Sequence, residues 1–227
     1  MRPLALISRW HRLTEQLGAV AGSTQGLLDT LLAHYTEPHR HYHTEAHIED
    51  VLAGIDWLRS AGEPVREPAE VELAAWFHDA IYEPGAADNE SRSAQLAVEA
   101  LGESGIAPQR LTRVSELVLA TEHHVPDGPD AALLVDADLA VLGRDLDAYV
   151  VYARAIRAEY GHVADDGYRQ GRAAVLQTLL DRPLLYHTRA MRVSRTHRAQ
   201  ENMRAELRML RATPGEPLDV VLQRVGA

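Results

Sequence analysis

Within AAWFHDAIY, residues 74–82, His78 stands directly against Asp79 among residues that are otherwise apolar. A buried imidazole and carboxylate must either satisfy each other or be used, because an unpaired polar group in such surroundings is costly. Neighbouring helical residues diverge by about 100°, so the two can share an ion only if it lies beside the helix between their directions. The rest of its shell must come from other segments. Upstream, His43 and His47 are four apart on one helical face of HTEAHIEDVL, with His47 at the edge of the stripe formed by Ile48, Val51, Leu52 and Ile55. Downstream, LLVDADLAVLG sets Asp136 and Asp138 among aliphatic residues, an expensive place for carboxylates unless a cation or donor meets them. One of these two aspartates is expected to be a ligand. The sequence has no cysteine, so a metal here is held by nitrogen and oxygen alone. Imidazole and carboxylate together accept manganese, iron, cobalt, nickel or zinc, while magnesium suits two nitrogens less well.

The elements that carry these residues read as helices. Apolar residues recur at three and four positions over about 4–18, 24–35, 44–61, 68–82, 89–103, 108–124, 130–142, 145–160, 166–181 and 195–211. Alternation of β-branched and aromatic residues is nearly absent, which predicts an all-α chain. Asn89 suits a helix N-cap, Pro108 a helix start, and Gly102 and Gly143 helix C-caps. The charge alternation of RAQENMRAELRML is read as a solvated face, and the tail TPGEPLDVVLQRVGA as either a helix packed back on the domain or a docking segment.

Composition bounds the function. At 227 residues, with 46% hydrophobic and 25% charged content, the chain is read as one soluble domain over residues 1–227. The first apolar run is short and soon meets Arg9 and Arg12, and no span of about 20 apolar residues follows, so a cytoplasmic protein without a membrane partner is expected. A formal charge of −10 argues against a long nucleic-acid partner but leaves room for a small anionic substrate. Four of its 12 histidines fall in HRHYHTEAH, residues 39–47, of which His39 and His41 are read as surface residues.

A histidine, a His-Asp pair in an apolar helix and an aspartate in a second apolar helix form an ordered set that resembles the H…HD…D pattern of the HD-domain metal-dependent phosphohydrolase superfamily. The segments HRHYHTEAHI, AAWFHDAIYEPGAADNESRSA, TEHH, DADLAVLG, YVVYARAIRAEY and GRAAVLQTLL look like an uncharacterised bacterial branch of predicted hydrolases in it. The resemblance covers about residues 35 to 210. It implies an HD-domain-like helical bundle in which His47, His78, Asp79 and Asp138 hold one divalent metal ion. Asp138 is preferred to Asp136 because it sits in an Ala-Asp-x-Leu setting. The reaction implied is hydrolysis of a small phosphorylated substrate, for which the superfamily suggests a nucleotide, with monoester and diester unresolved. Asp79 is placed in the catalytic centre. The general acid or base is Glu83 or Glu90; some members carry this carboxylate three residues past their aspartate, where this chain has Tyr82. Arg40, His43, Asn89 and His123 are the expected substrate contacts. For His123 and His124 a helix-end role competes. Two alternatives keep the fold: a diiron oxygenase with a second ion held by His123 and His124, and a binding or sensor module whose metal is structural. Arg157, Glu159, Tyr160 and Arg172 are read first as a structural network.

Overall fold

Prolines 68 and 108 each open a helix, as suits a residue with fixed φ and no amide hydrogen to leave unpaired. In the computed structural model of the protein, residues 4–212, 216 and 218–223 are described, and among them there are helices but no strand. The all-α expectation therefore holds. None of these helices is long and apolar enough to cross a membrane. The chain divides into two compact units, Met1–Ala137 and Asp138–Ala227.

The first unit carries α1 (Leu4–Gln16), α2 (Gln25–His34), α3 (Glu45–Ser60), α4 (Pro68–Phe77), α5 (Asn89–Leu101), α6 (Pro108–His123) and α7 (Pro129–Asp138), whose last residue is the first of the second unit. Its centre is α4, which packs against α1, α3, α5 and α6 and buries Val71, Leu73, Ala74, Ala75, Trp76 and Phe77. Each large apolar side chain covered in this way contributes about 1.5–3 kcal/mol. The N-terminus of α4 is capped from a distance: the Arg66 and Glu67 amides donate to the Asp130 carboxylate at 2.6 and 3.2 Å. On the flank, Arg9 of α1 bridges Asp56 of α3 and Glu72 of α4.

Helix α3 buries His47, Ile48, Val51, Leu52, Ile55 and Leu58, so His47 belongs to the core-facing stripe. Gly54, two turns after His47, lets α3 meet α7 closely. A Cβ at residue 54 would lie 3.1 Å from the Ala137 Cβ and 3.3 Å from its Cα, and Ala137 directly precedes Asp138. We expect Gly54→Val to destabilise the protein by roughly 1–3 kcal/mol through overpacking, read as a lower urea midpoint.

Two expected helices end early. The stretch 68–82 is helical only to Phe77, because side chains from elsewhere take the backbone groups that a continued helix would need. The stretch 130–142 is α-helical to Asp138 and then tightens into a 3-10 segment, Leu139–Gly143. The capping expectations also divide. Asn89 is the first residue of α5, and its amide bonds to Glu83 rather than to its own helix. Gly102 is the C-cap of α5, as expected, with an ordinary φ of −58°.

The second unit contains that 3-10 segment, α8 (Leu146–Glu159), α9 (Asp165–Asp181), α10 (Arg189–Ala212) and the short α11 (Leu218–Gln223). Gly143 is required by close approach to α10, since a Cβ there would stand 2.7 Å from the Arg195 Cβ. Asn202 of α10 donates to the Leu142 and Arg144 carbonyls at 2.9 and 3.0 Å, and the Tyr186 hydroxyl to the Leu139 carbonyl at 3.1 Å. Helix α10 starts six residues before the expected 195, where the Thr188 hydroxyl accepts from the Met191 amide. The solvated-face reading of RAQENMRAELRML needs correction: Asn202, Met203, Glu206, Leu207 and Leu210 are buried, with the Glu206 charge met by Arg172. Arg157 bonds to the Tyr160 and Val163 carbonyls and to Asp165, as a structural network would. In the tail, α11 packs against α8 and α10 and buries Leu218, Val221 and Leu222, while 213–215, 217 and 224–227 lie outside the described residues.

Candidate metal centre

His78 is the residue just past the last turn of α4, its amide still bonded to the Ala74 carbonyl at 2.9 Å, so its direction is fixed by the helix. Its Nδ1 lies 3.0 Å from the Ala75 carbonyl oxygen. A carbonyl can only accept, so Nδ1 carries a hydrogen, and in the neutral ring Nε2 is the nitrogen whose lone pair is open to a cation. That Nε2 is 3.1 Å from the His47 Nε2 and 3.0 Å from the Asp79 Oδ2, and the His47 Nε2 is 3.4 Å from the same oxygen. Both histidines are buried, at 2% and 1% exposure.

These separations suit a shared cation. Ligand bonds of about 2.1 Å to one ion place ligand atoms at right angles about 3 Å apart. Asp138, at the end of α7, completes the set: one ligand atom each from His47, His78, Asp79 and Asp138 lies within 4.8 Å of the others. Among the described residues this is the one group of histidines and carboxylates that close together. Two imidazoles and two carboxylates, one imidazole already oriented by a backbone carbonyl, fit a mid-series divalent ion. Asp136, the alternative ligand, is fully buried and lies outside the group.

The electrostatics agree with ligand duty. Burial by itself would raise the Asp79 carboxyl. With no ion present, protonated His78 and His43, together with hydrogen bonds from His47 and His78, outweigh it and hold the group well below the usual carboxylate range. The carboxylate is thus ionised before a cation arrives, while the histidines release their protons as it binds.

The turn that follows Asp79 is held by side chains at successive residues. The Arg40 guanidinium donates to the Asp79 carbonyl at 2.7 Å and the Ala80 carbonyl at 3.0 Å. The Ser93 hydroxyl accepts from the Ile81 amide at 2.9 Å and donates to its carbonyl at 3.2 Å. The His39 Nε2 is 2.8 Å from the Tyr82 carbonyl, and the Asn89 amide bonds both backbone groups of Glu83 at 3.0 Å. These contacts replace the helical ladder and explain why α4 stops.

The remaining expected residues fall in different places. Arg40, expected to meet a substrate phosphate, has a side chain with no exposed surface; its donors go to carbonyls and Glu37, and it lies over the Tyr35 and Tyr82 rings. Asn89 likewise bonds backbone. His43 does stand beside the group, its Nε2 4.0 Å from the Asp79 Oδ2 and its ring 4.0 Å from that of Tyr82. Glu83 is 70% exposed and pairs with Arg92, away from the ligands. Glu90 is half-buried, and its carboxyl is raised, first by burial and also by the charges of Asp79 and Glu122, against a lowering by His124. His123 is 79% exposed beside Glu122. His124 ends α6 at φ 50°, the one non-glycine residue with positive φ among those described.

Sequence reading assigned no role to Ser93 or His39. Ser93 lies four residues after Asn89, hence on the same face of α5, the only signal that could have linked it to the turn. No protein-family model, no curated protein and no solved structure matches this chain.

Proposed function

We propose that the protein is a metal-dependent phosphohydrolase acting on a small phosphorylated metabolite, with a nucleotide as the first class to test. The observation that carries the reading is the convergence of His47, His78, Asp79 and Asp138 at separations suited to one cation. When bound, a divalent ion supplies Lewis acidity toward a phosphate oxygen and a water of lowered pKa. The protein's own residues do the rest. His78, its hydrogen committed to Ala75, keeps Nε2 as a ligand, and the ionised Asp79 offers negative charge where the cation sits. His43 is placed beside Asp79 to donate to a phosphate oxygen. The sequence contains no lysine, so imidazoles rather than amines meet the anion on this side.

Glu90 is the proton carrier in this reading. As a water oxygen bonds to phosphorus and the bond to the leaving oxygen breaks, the water proton passes to a Glu90 oxygen and is returned to the leaving oxygen. Its raised proton affinity brings it toward the pH at which such a group works best. The exposed Glu83 has no such environment.

Metal-loaded protein should hydrolyse p-nitrophenyl phosphate or bis(p-nitrophenyl) phosphate, and chelation should abolish the activity. Glu90→Gln is expected to lower kcat by roughly 10²–10⁴-fold with metal content unchanged, whereas Glu83→Gln leaves it near wild type. A second readout uses stability. A carboxyl raised in the folded state binds its proton more tightly there, so folding is favoured below its unfolded value and that advantage is lost as pH rises through the folded one. Glu90→Gln should therefore raise the melting temperature of metal-free protein at about pH 7 more than at about pH 4. The reading fails if both model esters and a nucleotide panel remain intact in the presence of bound metal.

A further inference from the structure

We infer that Arg40 is a positioning residue for the metal centre, joining the approach to α3 to the turn after α4 so that ligands from both stand at cation spacing before an ion arrives. The inference rests on the metal-binding part of the proposed function and does not depend on which ester is cleaved.

Three acceptors define the role. One guanidinium nitrogen, Nη1, donates to the His43 carbonyl at 3.1 Å and to the Asp79 carbonyl at 2.7 Å, and Nη2 donates to the Ala80 carbonyl at 3.0 Å. His43 lies four residues before His47 and opens the segment that delivers it. Asp79 is itself a ligand and adjoins His78. A single side chain thus pins main chain on both sides of the ligand group. Nε is held by Glu37 at 2.9 Å, so the fork is fixed from behind, and the Tyr35 and Tyr82 rings cover it at 5.0 and 5.5 Å. Planarity is what this needs. A guanidinium presents several donors in a fixed plane, while an ammonium offers three from one point and cannot span the same carbonyls.

The companion contacts show why Arg40 in particular matters. Ser93 and Asn89 hold only the turn itself, at Ile81 and Glu83. Arg40 ties that turn to the segment bearing His47, and removing it leaves the His47 and Asp79 atoms, now 3.4 Å apart, free to drift. Loss of a group that orients ligands typically weakens metal affinity by roughly 10–100-fold.

The test uses the full chain and measures zinc and manganese affinity by competition with a chelating dye, with helix content from circular dichroism. Arg40→Lys is expected to bind more weakly than wild type by roughly tenfold or more, at unchanged helix content. Arg40→Ala should bind more weakly still, and guanidinium ion at millimolar concentration should recover part of its affinity, because the ion can refill the same cleft. Ser93→Ala should lose less than either. Wild-type affinity in Arg40→Lys overturns the proposal, even if Arg40→Ala does not fold. So does an Arg40→Ala protein that folds, binds weakly and gains nothing from guanidinium. A wild-type chain that binds neither metal would instead refute the metal centre itself, a result distinct from all of these.

Discussion

Purified His78→Ala protein is expected to carry little or none of the divalent metal bound by wild type, measured by elemental analysis after dialysis against trace metal. The effect should exceed the roughly 10–100-fold loss typical of residues that only orient ligands, because His78 offers a ligand atom itself and its Nε2 is within 3.0–3.1 Å of two others. Asp79→Ala should behave likewise and remove any metal-dependent phosphatase activity. Asp138→Asn should lose metal, while Asp136→Asn should keep it, since only Asp138 belongs to the converging group. Helix content should survive in each case, for the surrounding core of Ile48, Val51, Trp76 and Phe77 is untouched. Equal metal in His78→Ala and wild type would refute the assigned centre. Metal loss without any hydrolytic activity in wild type would keep the centre and leave a binding or sensor role.

The four converging residues were marked out in the sequence partly for a physical reason and partly by resemblance, which alone favoured Asp138 over Asp136. Polar groups that need a partner stand out when apolar residues surround them, and His47, His78 and Asp138 each sit in such a run. The all-α architecture was legible through periodicity. What escaped was anything whose partner is main chain. Arg40 looks like a phosphate contact by type, yet two of its acceptors are carbonyls about 40 positions away, and carbonyls carry no residue signature. The end of α4 escaped for the same reason: Ala80 and Ile81 continue the apolar pattern, and the helix stops because Arg40, Ser93, His39 and Asn89 claim the next backbone groups. The choice between Glu83 and Glu90 could not be made from spacing either. The proposed preference for Glu90 rests on burial, which leaves Glu83 in solvent and brings Glu90 under the charge of Asp79.

Glu206→Ala is expected to give the largest loss of stability, about 3–5 kcal/mol, seen as a lower urea midpoint. Glu206 has no exposed surface, and it accepts from the Arg172 Nε at 2.8 Å, the Arg172 Nη2 at 3.0 Å and the Tyr149 hydroxyl at 2.5 Å. Burial alone would lower the Arg172 guanidinium, but Glu206 foremost outweighs it and holds the group well above its ordinary value, so the arginine stays charged. Burial and the same carboxylate push the Tyr149 phenol up, keeping its hydrogen for donation. Removing Glu206 therefore strands a cation and a hydroxyl at once. Glu206→Leu combined with Arg172→Met should recover most of the loss, because replacing both members of a buried pair with apolar groups of similar volume is often neutral. All three tryptophans, Trp10, Trp57 and Trp76, lie in the first unit, so circular dichroism, which reads the helices of both units, is the probe to use. Were Glu206→Ala to unfold at the wild-type midpoint, the pair would have to be solvated, contrary to the 8% and 0% side-chain exposures that define it.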